Sequence, residues 1–231
     1  MKSIFSVIAA NTDSAVVLVH RHFDYVTKHV MAWVKDSKKV TALNYSEKLP
    51  PCIFPLSKKG CEHGWRQGKQ FAEAGIEPAE IIGSFQGRGP ESGVRIMEGY
   101  EEVTGKAISM DCDMAANWPV YNYDEAVEGV TDEHPAQWMN GQCDNLIIPA
   151  PESFKSRVTG LISELLGKGG VRIITTHFEI CVLTHALYIE GKDLGSISET
   201  YAPQKGGGIL IVRHEDGTTE SYDYDADLNL L

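Results

Sequence analysis

Val16 to Val19 is an unbroken apolar run of β-branched and leucine side chains, and it constrains the fold more than any other segment. Four such residues with no polar alternation describe a strand buried on both faces. Val171 to Thr176 is a second strong strand, and Glu80 to Phe85 and Ala107 to Met110 are two shorter ones. Helical spacing of apolar residues lies between them. It covers Ser57 to Ala74, with Gly75 as a stop, then Pro90 to Thr104, with Gly105 after it. Glu152 to Leu166 places Leu161, Ile162, Leu165 and Leu166 on one face. A further helix runs from the end of the Val171 strand through Leu187. Gly208 to Arg213 and Glu220 to Tyr224 form the last strands, turned by Asp216-Gly217. Alternation of this kind implies an α/β fold, a three-layer α-β-α sandwich on a mostly parallel central sheet.

The 231 residues then fit one domain, 1–231. Residues 112–151 differ from the rest. They hold Trp118, Trp138, Tyr121 and Tyr123 with little periodicity, and no apolar run to build a core of their own. They are expected to form an inserted cap, with the aromatics packing it onto the sheet.

A net charge of −11 excludes a general binder of nucleic acid or of anionic membrane. No apolar run spans a bilayer, and the short stretch Ile4 to Ala10 is expected to be an edge strand rather than a signal peptide. The five cysteines form no C-x-x-C pair. His177, Cys181 and His185 share a helical spacing that a metal could use, but no fourth ligand is evident, and a packed thiol is expected. No metal site and no cofactor is expected. Reduced thiols fit a cytoplasmic location.

Ligands of such sheets bind at the carboxyl ends of the strands. After Val16–Val19 come His20, Arg21 and His22; after the Glu80 strand comes Arg88; after the Val171 strand comes His177. The sheet brings these ends to one rim. Two guanidinium forks match phosphoryl oxygens. A neutral imidazole can attack phosphorus, and a second, protonated imidazole can offset the developing charge. A carboxylic acid must still protonate the leaving oxygen.

Four segments in order resemble the histidine phosphatase superfamily, the group that includes the cofactor-dependent phosphoglycerate mutases. Leu18-Val19-His20-Arg21-His22 is similar to the family's strand and Arg-His-Gly. The stretch from Pro55 to Gly64 resembles Pro-Leu-Thr-x-x-Gly-x-x-Gln-Ala, and that from Ser84 to Gly93 resembles Ser-Pro-Leu-x-Arg-Ala-x-x-Thr-Ala. Ile174 to His177 is similar to the strand that delivers the second catalytic histidine. The resemblance implies that His22 is the phosphorylated nucleophile, with Arg21, Arg88 and His177 completing the phosphate pocket. The acid is expected at Asp113, then Asp111, then Glu179. Thr27 could add a hydroxyl or serve as a helix cap. The implied activity is metal-independent phosphomonoester hydrolysis on a small phosphorylated substrate. The alternatives are a mutase-like phosphotransferase and a phospho-ligand binder without turnover. The oligomeric state is open, with a homodimer as one option.

The chain departs from the family after the nucleophile. Phe23 stands where the family has Gly, and its ring is expected to narrow the pocket, to stack on substrate, or to mark reduced activity and a binder without turnover. Asp24 and Tyr25 replace the mutase pattern, and Phe178 and Glu179 replace small residues after the second histidine. His20 is expected to be a satisfied buried residue on the opposite face from Arg21. Lys205 to Gly208 lacks the order of a phosphate loop and is expected to be a flexible hairpin or edge turn.

Overall fold

The computed structural model describes residues 2–25, 56–85, 88–117, 120–121, 135–142, 147–148 and 150–231. Its centre is a six-stranded sheet. Strand β1 (Ala15–Arg21) lies between β6 (Gly170–Thr176) and β7 (Gly208–Arg213). Outside β6 come β2 (Pro78–Gly83) and β3 (Ser109–Cys112), and outside β7 comes β8 (Thr219–Tyr224). The pairs β1–β6, β6–β2 and β2–β3 are parallel, whereas β7 and β8 add antiparallel edges.

The pleat explains the layers. Val17, Val19, Ile82, Ile174, Ile209 and Ile211 face one side, where they meet α5 (Pro151–Gly167) and α6 (Phe178–His185). Val16, Leu18, Ile81, Ile173, Leu210 and Val212 face the other, towards α1 (Ile4–Ala10), α2 (Lys58–Glu73) and α3 (Arg88–Thr104). Both faces of the central strands are thus covered, which is why their sequences do not alternate. Ser57 caps α2 by accepting the Gly60 N–H at 3.0 Å.

Two elements differ from expectation. Ile4–Ala10 is a helix, not an edge strand. Ile4, Val7 and Ile8 fall at helical spacing and are all buried against the Val16 face, so packing on the sheet decides its form. Helix α6 ends at His185, and Ala186–Glu190 continues as a wider π-type turn closed by Gly191 at φ +63°. No helix among the described residues is long and apolar enough to cross a membrane.

Of residues 112–151, the described parts are a short turn at Met114–Ala116, the paired strands β4 (Val120–Tyr121) and β5 (Ile147–Ile148), and helix α4 (Pro135–Met139). Ala115, Ala116, Ala136, Trp138 and Met139 are buried within the core on the α5 side. The Trp138 ring packs 5.2 Å from that of Phe154, as a packing residue would. Thr27, Trp118 and Tyr123 lie outside the described residues.

Candidate active site

The rim formed by the carboxyl ends of β1, β6, β2 and β3 is laced together by backbone hydrogen bonds. His22 N–H donates to the Thr176 carbonyl at 2.8 Å, Ser84 N–H to that of Thr175 at 3.1 Å, and Asp113 N–H to that of Gly83 at 3.0 Å. These bonds hold His22, His177, Ser84 and Asp113 in one row. His22 and His177 are each 1% exposed, and their ring centroids lie 5.4 Å apart.

Two contacts fix the tautomer of His22. Its Nδ1 lies 2.8 Å from the Phe23 carbonyl, which can only accept, so Nδ1 carries the proton. Arg88 Nε–H donates to Nε2 at 2.8 Å, so Nε2 presents its lone pair. Burial, then the Arg88 charge, hold this imidazole well below its usual pKa, with His177 and Arg21 adding to the effect. A neutral ring keeps the lone pair that a nucleophile requires, here held by a guanidinium.

His177 sits at the head of α6. Its Nε2 lies 2.8 Å from Ser84 Oγ. Burial and the neighbouring Arg88 and Arg21 hold it neutral as well, and not protonated as expected from the sequence. Arg88 opens α3 and is 9% exposed, with its guanidinium carbon 4.3 Å from the centre of the Tyr25 ring. Arg21 closes β1. Its Nη1 donates to the Pro203 carbonyl at 2.5 Å, and its guanidinium carbon lies 4.8 Å from the centre of the Phe178 ring. Each arginine is thus backed by one aromatic ring. Four of the five catalytic residues expected from the sequence are gathered here: Arg21, His22, Arg88 and His177.

The carboxylates separate by position. Asp113 stands on the rim, and its Oδ1 accepts the Ala115 N–H at 2.6 Å. Asp111 is exposed on β3 and turns Oδ1 back to the Cys112 N–H at 2.7 Å. Glu179 is buried in the first turn of α6.

Phe23 departs from expectation. Its side chain is fully buried in the core on the α2 side, 5.0 Å ring to ring from both His20 and His63. It neither narrows the pocket nor faces a ligand. Two glycines make room for it. A Cβ at Gly64 would fall 2.6 Å from the ring, and one at Gly206 would fall 3.0 Å from it, where φ is also +85°. Only the backbone of Phe23 serves the site. The carbonyl holds His22, and the N–H donates to Ser92 Oγ at 3.2 Å.

His20 is buried as expected but only half satisfied, because its buried Nε2 meets no hydrogen-bond partner among the described residues. It is buried on the far face, with Nδ1 3.0 Å from Tyr224 Oη, and burial lowers its pKa to about 3. Cys181 is a packed thiol pushed up to about 12 by burial. His185 pairs instead with Asp223 at 3.1 Å and stacks on Tyr201. No group of three metal-binding side chains assembles among the described residues.

The segment before β7 was missed as part of the site. Pro203–Gly207 straps the end of β1: Gly206 N–H donates to the Arg21 carbonyl, and Arg21 N–H to that of Gly207. Lys205 Nζ reaches Asp24 Oδ1 at 2.9 Å and lies 4.3 Å from the centre of the Tyr25 ring. Ser84 was also missed as a partner of His177, although it opens the motif that contains Arg88.

No protein-family model matches the chain, and no curated protein matches it in sequence. Solved structures do. A phosphoglycerate mutase from Bacillus anthracis matches with a TM-score of 0.59 at 14% identity, covering 94% of this chain and 95% of that one. A mycobacterial glucosyl-3-phosphoglycerate phosphatase matches at 0.58 and 12% identity, over 95% and 96% of the two chains. The alpha-ribazole phosphatase of Shigella flexneri matches at 0.57 and 13%, over 89% and 93%. The chain therefore has the fold of phosphoglycerate mutase-like histidine phosphatases over nearly its whole length.

Proposed function

We propose that this chain is a divergent member of the histidine phosphatase superfamily that hydrolyses a phosphate monoester through a phosphohistidine on His22. The observation that carries this reading is the buried, neutral His22, with its Nε2 lone pair facing Arg88 and its Nδ1–H anchored on a carbonyl.

The incoming phosphoryl oxygens take the N–H donors of Arg88 and Arg21. Releasing Arg88 from Nε2 exposes the lone pair. Nε2 then attacks phosphorus in line, the Nε2–P bond forms, and the P–O ester bond breaks. Asp113 gives its proton to the departing alkoxide. The positive charge gained by the ring is held through Nδ1–H by the Phe23 carbonyl. The two arginines offset the charge on the equatorial oxygens, with His177 a neutral hydrogen-bonding neighbour. Water next attacks phosphorus, the Asp113 carboxylate takes its proton, and phosphate leaves with neutral His22 restored. Asp113 is favoured over Asp111 because Asp111 is committed to an exposed strand edge. Phe23 gives no support to a binder without turnover, because its ring lies in the core.

The test is turnover of p-nitrophenyl phosphate from acid to neutral pH, with and without EDTA, beside His22→Ala, Asp113→Asn and Glu179→Gln. The expected result is release that persists in EDTA, vanishes in His22→Ala and falls steeply in Asp113→Asn. Binding of inorganic phosphate without turnover of this or any of a panel of natural esters would overturn the reading. A steep loss in Glu179→Gln alone would move the acid to α6.

A further inference from the structure

Two exposed apolar side chains stand beside the site. Phe85 directly follows Ser84, the partner of His177, and is 49% exposed. Met114 directly follows Asp113 and is 56% exposed. Both stand at the strand-end rim. Asn117, only 4% exposed, binds the two turns together. Its Oδ1 accepts the Phe85 N–H at 2.6 Å, and its Nδ2 lies 3.2 Å from Met114 Sδ. Single exposed apolar residues are ordinary, but two fixed beside one site by a buried amide are not scattered surface. Deeper in, Tyr25 and Phe178 back the two arginines.

Among the described residues, two cations stand near this mouth, and one of them, Arg157, donates to the Asn117 carbonyl at 3.0 Å and feels the Asp113 charge. Lys205, the cation beside Tyr25, is bonded to Asp24 at 2.9 Å. A second anionic group that used Lys205 would have to break its pair with Asp24. The leaving oxygen must lie beside the carboxylate that protonates it, so the group it carries passes Met114 and Phe85.

We propose that the substrates are phosphate esters of aromatic or otherwise apolar alcohols, with the apolar group lying on Phe85 and Met114. This rests on the phosphatase reading of the His22 site and names its substrate class.

The test compares two esters whose alcohols have similar acidity, 2-phenylethyl phosphate and 2-hydroxyethyl phosphate, by kcat/KM. The expected preference for the phenyl ester is about tenfold or more, the scale of partly burying one ring. In the Phe85→Ser, Met114→Ser double variant, the ratio is expected to collapse towards one. Both positions are exposed, so folding should tolerate the change. Binding is measured in parallel by calorimetry with two uncleavable probes, 2-phenylethylphosphonate and methylphosphonate. Equal or reversed preference, or a ratio that the double variant leaves intact, overturns the proposal. Loss of turnover on both esters with a retained phenyl preference in binding would sink the hydrolysis reading and uphold the apolar mouth.

Discussion

Arg88 donates its Nε–H to Nε2 of His22 at 2.8 Å, so the guanidinium that would grip a phosphoryl group first occupies the atom that would attack it. Anion binding and exposure of the lone pair are then one event. Arg88→Ala should lower kcat/KM by about 10²–10³, the usual cost of losing a charged donor to a transition state. Arg88→Lys should rescue little, because an ammonium cannot offer the same fork or lie flat on Tyr25. Steady-state kinetics on an aryl ester, with inorganic phosphate as competitive inhibitor, checks this. Near-wild-type rates in Arg88→Lys would contradict it.

Ser84 is the polar partner of His177, at 2.8 Å. Removing its hydroxyl leaves a buried imidazole without that orienting contact. Ser84→Ala should lower kcat roughly tenfold, one hydrogen bond's worth of positioning, while thermal stability changes by about 1 kcal/mol. A change in KM alone would show that Ser84 serves binding and not the orientation of His177.

How much of this was legible depends on what each residue answers to. His22, Arg88 and His177 follow strands whose burial pattern is local, so sheet topology alone brings them together. The helix at Ile4–Ala10 was not legible, because seven residues carry too little periodicity to separate helix from strand, and the sheet decides. The strap at Pro203–Gly207 was also hidden. Its contacts with Arg21 and Asp24 join residues some 180 positions apart, and nothing in Pro203-Gln204-Lys205-Gly206-Gly207 marks those partners. Phe23 was misjudged for a related reason. The Phe23 carbonyl and N–H face the site whatever side chain stands there, while the ring leaves by the other side into space left by Gly64 and Gly206.

The buried histidines predict how stability follows pH. His20 is held at about 3, and His22 and His177 are held well below their usual range, chiefly by burial. In the unfolded chain all three return to about 6.5. Below that value the unfolded state binds protons that the folded state refuses, so stability is complete above about pH 6.5 and falls as the pH drops. Each such group contributes at most about 1.4 kcal/mol per pH unit. Urea midpoints should therefore fall between pH 7 and pH 5. His20→Gln should lessen the fall, at the cost of the bond to Tyr224. A flat profile over that range would show that these rings take up protons in the fold as readily as in the unfolded chain.

Phe23 separates packing from catalysis. Its ring is fully buried among core side chains, and only its carbonyl and N–H touch the site. Phe23→Ala should cost about 3–5 kcal/mol, the range for emptying a buried aromatic site. Phe23→Leu keeps most of the volume and should cost less. Gly64→Ala attacks the same contact from the other side. Its methyl would press 2.6 Å from the ring and 2.8 Å from Arg95 Cβ, and overpacking of this kind costs about 1–3 kcal/mol. In each variant, activity per folded molecule should stay within a few-fold of wild type, because the His22 anchor is backbone. Denaturant unfolding beside kcat on the folded fraction distinguishes the two effects. A Phe23→Leu protein that is stable yet inactive would mean that the ring itself acts on the substrate.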